Sequence, residues 1–206
     1  MARRHRIGES SPAGAGVPAA AALLALGVLL VAPASVIRAQ PQPPSLFEQE
    51  IKASFIYTVV KFVDWPGTAF GAPDAPMVMA ILGDETIGDA LQKVVDGKRV
   101  NGHPVSVLRA AGLDDLAGCH VLIVGRTERT RLPEILQRLR GSYVLTVSES
   151  DRFAREGGVM GIVLDQNMVR FEVNVDAAYR SSLEISSKIL RLGKVVHDRK
   201  RALGAP

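Results

Sequence analysis

Six consecutive apolar residues, Met77–Leu82 (MVMAIL), run straight into Gly83-Asp84 and constrain the fold of this chain more than any other stretch. A strand with one wet face alternates apolar and polar residues. One that is apolar throughout has to be covered on both sides, as in a sheet sandwiched between helices. Val121–Val124 (VLIV) repeats the pattern, and Val105–Leu108, after the Asn101-Gly102 turn, and Tyr143–Val147 read as two further strands. Between these runs lie helical stretches at residues 86–95 (TIGDALQKVV) and 128–140, the latter with Leu132, Ile135, Leu136 and Leu139 turned inward. Apolar strands alternating with helices predict an α/β sheet with helices on both faces.

The two ends of this region add different elements. At residues 46–66, Phe47, Ile51, Phe55, Val59 and Phe62 recur every three or four positions, with Ile56, Val60 and Val63 widening the stripe. Glu48, Glu50, Lys52 and Lys61 fall off it. That spacing predicts a helix stopping at Trp65-Pro66, because proline disfavours helix in its predecessor. A loop rich in Gly, Ala and Pro follows at residues 67–76. Near the other end, Gly157–Leu164 and Met168–Val173 flank Asp165-Gln166-Asn167, the pattern of a β-hairpin. A last helix over residues 175–196 is expected from Leu183, Ile185, Ile189, Leu192 and Val196, with Asn174 or Asp176 as its cap. The expected fold is one α/β domain over residues 46–196. Its sheet is mixed and mostly parallel, with helices on both faces and a C-terminal β-hairpin plus long helix.

Arg3, Arg4 and Arg6 precede an apolar run from Ala19 to Ala32, fenced by Pro18 and Pro33 and followed by Ile37-Arg38-Ala39. A basic start, a short apolar core and a small residue form the export-signal pattern, and the run is shorter than the ~20 residues a membrane span needs. Cleavage is expected after Ala39 rather than Ala34, which would require cutting directly after Pro33. No cysteine lies nearby to accept a lipid. The expected organisation is a signal peptide over residues 1–39, a proline-rich linker over 40–45, the domain, and a basic tail over 197–206.

The signal also carries most of the basic excess. The chain has 25 Lys and Arg against 21 Asp and Glu; residues 1–39 hold four arginines and one acid, leaving 21 bases against 20 acids. A nucleic-acid partner calls for a basic excess on the working domain, and here it nearly vanishes. Cys119 is the single cysteine, so an intramolecular disulfide is impossible.

Chemical motifs are sparse. The loop Gly83-Asp84-Glu85-Thr86-Ile87-Gly88 lacks the lysine of a P-loop and the spacing of a dinucleotide fingerprint, and reads as a helix start capped by Asp84 or Thr86. Cys119-His120 are neighbours, which on a strand point to opposite faces, so Cys119 reads as a small buried hydrophobe. His103, His120 and His197 have no metal-ligand spacing, the pairs Asp84-Glu85 and Asp114-Asp115 read as helix-start residues, and no Gly-x-Ser-x-Gly elbow occurs. No catalytic residue, metal ligand or cofactor site is expected. The cluster Arg191, Lys194, His197, Arg199, Lys200 and Arg201 fits cations at a helix C-terminus, with a polyanion patch as the alternative.

Two features stand apart. Phe62 and Trp65, the chain's only tryptophan, either plug the core at a helix end or anchor a partner. In the hairpin, alternation puts Val169, Phe171 and Val173 on one face and Arg170, Glu172 and Asn174 on the other, as a solvated face or as contacts to a ligand or partner.

Taken in order, these segments resemble the YfiR family. The resemblance is carried by Ile51–Tyr57 and Lys61–Pro66, Leu82-Gly83-Asp84, Gly97–Gly102 and Cys119–Val124. It continues through Leu145–Glu149, Phe153-Ala154, Gly157-Gly158, Val169–Asn174 and Leu183–Leu190. The resemblance implies a periplasmic α/β protein without catalytic activity or cofactor. The implied partner is an inner-membrane diguanylate cyclase, or another membrane receptor, which such proteins repress, so lowering cyclic-di-GMP and biofilm formation. It further implies an outer-membrane lipoprotein that can sequester the repressor, and it leaves room for a homodimer. Some relatives depend on disulfides; this chain departs there, having only Cys119.

Overall fold

The four expected strands are neighbours in one sheet, with the two wholly apolar runs, Met77–Leu82 and Val121–Val124, side by side. In the computed structural model, which describes residues 45–166 and 168–198, the chain begins with helix α1 (Leu46–Val60) and the short strand β1 (Val63–Asp64). Strand β2 (Met77–Leu82), helix α2 (Thr86–Val95) and strands β3 (Arg99–Val100), β4 (His103–Ala110) and β5 (Val121–Val124) follow. Helix α3 (Leu132–Arg138) leads to β6 (Leu145–Ser148), β7 (Met160–Asp165) and β8 (Met168–Asn174). The described part ends with α4 (Val175–Arg180), β9 (Glu184–Ile185), α5 (Ser187–Leu192) and β10 (Lys194–Val196). The signal peptide, the linker up to residue 44 and the tail from residue 199 lie outside the described residues, as does Asn167 in the hairpin turn.

The main sheet has the order β10-β8-β7-β6-β5-β2-β4-β3. Its pairs β2–β4, β2–β5, β5–β6, β6–β7 and β8–β10 are parallel, while β3–β4 and the hairpin β7–β8 are antiparallel. The fold is therefore α/β with a mixed, mostly parallel sheet. Along β2, Met77, Met79 and Ile81 join one core with α1 and α2, while Ala80 and Leu82 join a second core with α3. In β5, Val121 and Ile123 likewise face the first core, and Leu122 and Val124 the second. Each strand serves two cores, which is why the runs carry no polar interruption.

Local capping follows the sequence. Asp84 Oδ1 accepts from the Thr86 and Ile87 amides at the start of α2 (3.0 and 3.4 Å), and Asn174 Oδ1 accepts from the Ala177 amide at the start of α4 (3.0 Å). Asp115 accepts from the amides of Ala111 and Gly112.

Two helical expectations need correction. The first helix ends at Val60 rather than near Trp65, because Val63 and Asp64 pair antiparallel with Ile185 and Glu184 in a small separate ladder. The long terminal helix is broken into α4, β9, α5 and β10. Ser182 breaks it first, with a left-handed backbone (φ 53°) after Arg180. Gly193 breaks it again: the Phe171 ring occupies the space a side chain would need there, with a Cβ only 2.2 Å from Cε2. Lys194–Val196 then pairs parallel with β8. Of the basic cluster, Arg191 accordingly lies in α5, Lys194 in β10 with its Nζ 3.7 Å from Glu172, and His197 just after β10, while Arg199, Lys200 and Arg201 lie outside the described residues.

Cys119 is buried in the second core, and burial pushes its thiol up to about 11. Since the thiolate is the reactive form, the native protein is expected to resist an aromatic disulfide reagent and to react fully once unfolded in guanidinium. Rapid native reaction would place the thiol at the surface instead. His120 sits across the sheet from it. Its Nδ1 accepts from the Val78 amide (3.1 Å), Nε2 lies 3.1 Å from the Ala69 carbonyl as donor, and its ring stacks on Phe70, which also stacks on His103. Both ring nitrogens are thus committed to backbone, so Cys119 and His120 form no nucleophile–base pair.

Burial, followed by the neighbouring His103, lowers the pKa of His120 from 6.5, against the opposing pull of the Ala69 carbonyl. An unfolded chain therefore binds this proton first. Stability is expected to be complete above about pH 6.5 and to fall as pH drops below it. Urea midpoints measured between pH 7.5 and 5.5 should fall more steeply in the wild type than in His120→Asn. Parallel curves would refute this assignment.

Candidate functional site

Open parallel sheets usually bind ligands beyond the carboxyl ends of their strands, where the strand order reverses. Here the chain passes from β2 to β4 on one side and then to β5 on the other, so the reversal lies between Gly83 and Gly125. That crevice is closed by its own backbone. The Gly125 amide donates to the Leu82 carbonyl (2.8 Å) and Thr127 Oγ1 to the Gly83 carbonyl (2.6 Å), and a Cβ on Gly125 would lie 2.1 Å from Gly83 O.

An open concavity lies elsewhere. A groove of about 970 Å³ runs along α3, bounded by the 3₁₀ turn Phe153–Glu156 and by α4. Its apolar lining is half-buried Leu136 together with the buried Leu132, Leu139, Val144, Val159 and Ala177. Arg129, Arg140, Arg155 and Arg180 stand on its walls with Glu156 and Asp198.

The polar face of β8, singled out in the sequence, organises one wall of this groove. Glu172 takes Arg155 in a bidentate pair (Nε 3.1 Å, Nη2 2.7 Å). This bond holds the Glu172 carboxyl below its ordinary range, helped by the charges of Arg155 and Lys194 and opposed by partial burial. Asn174 is fully buried, and its amide donates to the Ala154 carbonyl (2.5 Å) and to Asp198 Oδ1 (2.8 Å). Asp198 also receives Arg180, and its amide donates to Asp176 Oδ2 (3.2 Å), which lies 3.2 Å from His197 Nδ1. Asn174 thus caps α4 and holds Asp198, two residues past β10, a structural position rather than an open contact. Arg170 is exposed on the same face, beside Val163 and outside the groove lining.

Phe62 and Trp65 lie outside the groove lining and pack against the first core. Phe62 is half-buried against the first core, with Lys188 Nζ 5.8 Å from its ring. Trp65 is half-buried too, and its indole N–H donates to the Tyr143 carbonyl (2.8 Å), one residue before the groove's Val144. This bond ties the residue to the fold while leaving part of it open to solvent.

The sequence reading missed the groove's arginines and a buried ion pair. Lys52 is 2% exposed, and its Nζ lies 2.9 Å from both oxygens of Glu149 and 2.6 Å from Glu48 Oε1. Arg126 reaches the same Glu149 carboxylate at 3.2 Å. Gln49 Oε1 and Ser150 Oγ, on residues neighbouring this cluster in sequence, are buried without a hydrogen-bond partner among the described residues. No signal in the sequence marks Lys52, since it falls beside the apolar stripe. The groove's walls come from residues 129 to 198 and meet only in the fold.

Among the described residues, no group of three or more His, Cys, Asp or Glu side chains is placed to hold a metal ion, and no helix is long and apolar enough to cross a membrane. A domain-family model described as YfiR/HmsC-like (DUF4154) matches residues 49–194, from α1 to β10. The chain belongs to the YfiR/HmsC-like family. Every strand of the main sheet lies within or at the edge of the matched range, so the family match and the architecture describe the same unit. Among solved structures, this YfiR/HmsC-like chain is similar to one described as an ABC domain in complex with L-Trp from Streptococcus pneumonia. The identity is 12% and the TM-score 0.47, over 70% of this chain and 60% of that one, so the chain spans under two thirds of that structure's length.

Proposed function

We propose that this YfiR/HmsC-like protein is a periplasmic, non-catalytic regulator that binds and represses an inner-membrane diguanylate cyclase or related receptor, lowering cyclic-di-GMP signalling. The family match over residues 49–194 carries this reading. It is supported by the export-signal pattern of residues 1–39 and by the commitment of Cys119, His120 and Glu149 to packing, backbone and a buried ion pair. Phe62, Trp65 and Arg170 are its candidate partner contacts, Glu172 and Asn174 holding the adjoining wall. An outer-membrane lipoprotein is a further candidate partner.

The test combines capture from solubilised membranes by the purified protein with cyclic-di-GMP measurement in a deletion strain. The expected result is capture of a cyclase-bearing membrane protein and a rise in cyclic-di-GMP on deletion. Unchanged levels together with no captured receptor would sink the cyclase reading. The arginine-walled groove favours a second reading, a ligand-binding module that feeds a signalling receptor.

A further inference from the structure

The groove's chemistry is specific enough to name a ligand class; this rests on the second reading above, not on the cyclase reading. Its volume of about 970 Å³ is that of a small-molecule site. The apolar lining is supplied by leucines of α3 and by Val144 and Val159 at the starts of β6 and β7. Four arginines and two acidic residues are among its lining. Three of the four already have acidic neighbours: Arg155 is held by Glu172, Arg180 by Asp198, and Arg129 lies 3.7 Å from exposed Asp151. Arg140, just past the C-terminal end of α3, forms no ion pair among the described residues. Arg129 lies before α3 and Arg140 after it, so cations flank both ends of that helix.

A neutral apolar ligand would leave those cations unused, and a cationic one would be repelled. A polyanion would find mostly hydrocarbon. We propose that the groove binds a small amphipathic carboxylate, its apolar chain lying against half-buried Leu136 and its carboxylate paired with Arg140. Guanidinium is suited to this role because its planar fork pairs two N–H groups with a carboxylate. Glu156, an exposed lining acid, opposes such a ligand, so its removal is expected to tighten binding.

The test is calorimetric titration of the purified protein with octanoate, decanoate and dodecanoate, each below its micelle concentration. One saturable site is expected, with affinity rising about fourfold per added methylene. Decanol, lacking the charge, should bind about tenfold more weakly. Arg140→Gln should weaken decanoate about tenfold while keeping the chain-length slope, Glu156→Gln should strengthen it, and Leu136→Glu should abolish it. Lys93→Gln, on α2, should change nothing; urea midpoints of the variants establish that each is folded. Absence of saturable binding, or binding indifferent to both Arg140→Gln and Leu136→Glu, overturns the proposal. A protein dimer that dissociates on Leu136→Glu would assign the groove to a second copy and overturn it too. Because no partner is present in this titration, its failure leaves the cyclase reading standing.

Discussion

Lys52→Met is expected to destabilise the protein by about 3 kcal/mol, with little change in the size of the unfolding transition. The ammonium is 2% exposed and is the main countercharge for Glu149, itself 14% exposed. Methionine keeps the apolar stem packed but leaves that carboxylate with Arg126 alone, whose own side chain is largely in solvent. Removing one partner of a buried pair typically costs about 3–5 kcal/mol, because the remaining charge is stranded. The value should sit at the lower end here, since Arg126 stays and Glu48 is partly solvated. Lys52→Met/Glu149→Gln should recover more than half of the loss. Urea denaturation checks both variants. A single mutant within about 1 kcal/mol of wild type would show that the pair contributes little beyond packing. The consequence reaches beyond α1 itself, because this ion pair ties the helix to the carboxyl end of β6.

Phe153→Ala should cost about 3–5 kcal/mol, the range for emptying a buried aromatic site. Phe153 is fully buried in the second core, and Gly158 lies directly under its ring, where a Cβ would come within 2.1 Å of Cε1. Glycine backbone cannot move into the void, so the cavity stays. For a domain of this size that corresponds to a fall in melting temperature of roughly 6–20 °C. Phe153 also opens the 3₁₀ turn that carries Arg155 and Glu156 to the groove wall. At temperatures where the variant remains folded, it should therefore bind decanoate more weakly than wild type. A melting temperature within a degree or two of wild type would mean the ring is not a core element.

The two predictions draw on residues that the sequence reveals unequally. Phe153 is an apolar residue between a strand and a Gly-Gly pair, and its burial is unsurprising. Lys52 reads as a solvated cation beside the apolar stripe of α1. The buried face of that helix is rotated from the stripe toward Gln49, Lys52, Ala53 and Ile56, leaving Phe47 exposed. Periodicity reports where hydrocarbon recurs, whereas a buried charge depends on a countercharge 97 residues away at Glu149. The same limit explains the terminal segment. Its helical spacing is genuine, but Phe171 above Gly193 and the pairing of β9 with β1 and β10 with β8 outweigh local propensity.

Local chemistry was enough to specify the architecture: central strands, helices between them and a hairpin, with the caps narrowed to Asp84 or Thr86 and Asn174 or Asp176. Each depends on the chemistry of a few adjacent residues, so each is legible locally. Tertiary structure alone decided which polar residues matter. It closed the crevice at the carboxyl ends with Gly83 and Gly125, buried Lys52 against Glu149, and turned Glu172 and Asn174 into supports for Arg155 and Asp198. Charges and concavities are properties of pairs and walls, drawn from distant parts of the chain, and they exist only once the sheet has brought those parts together.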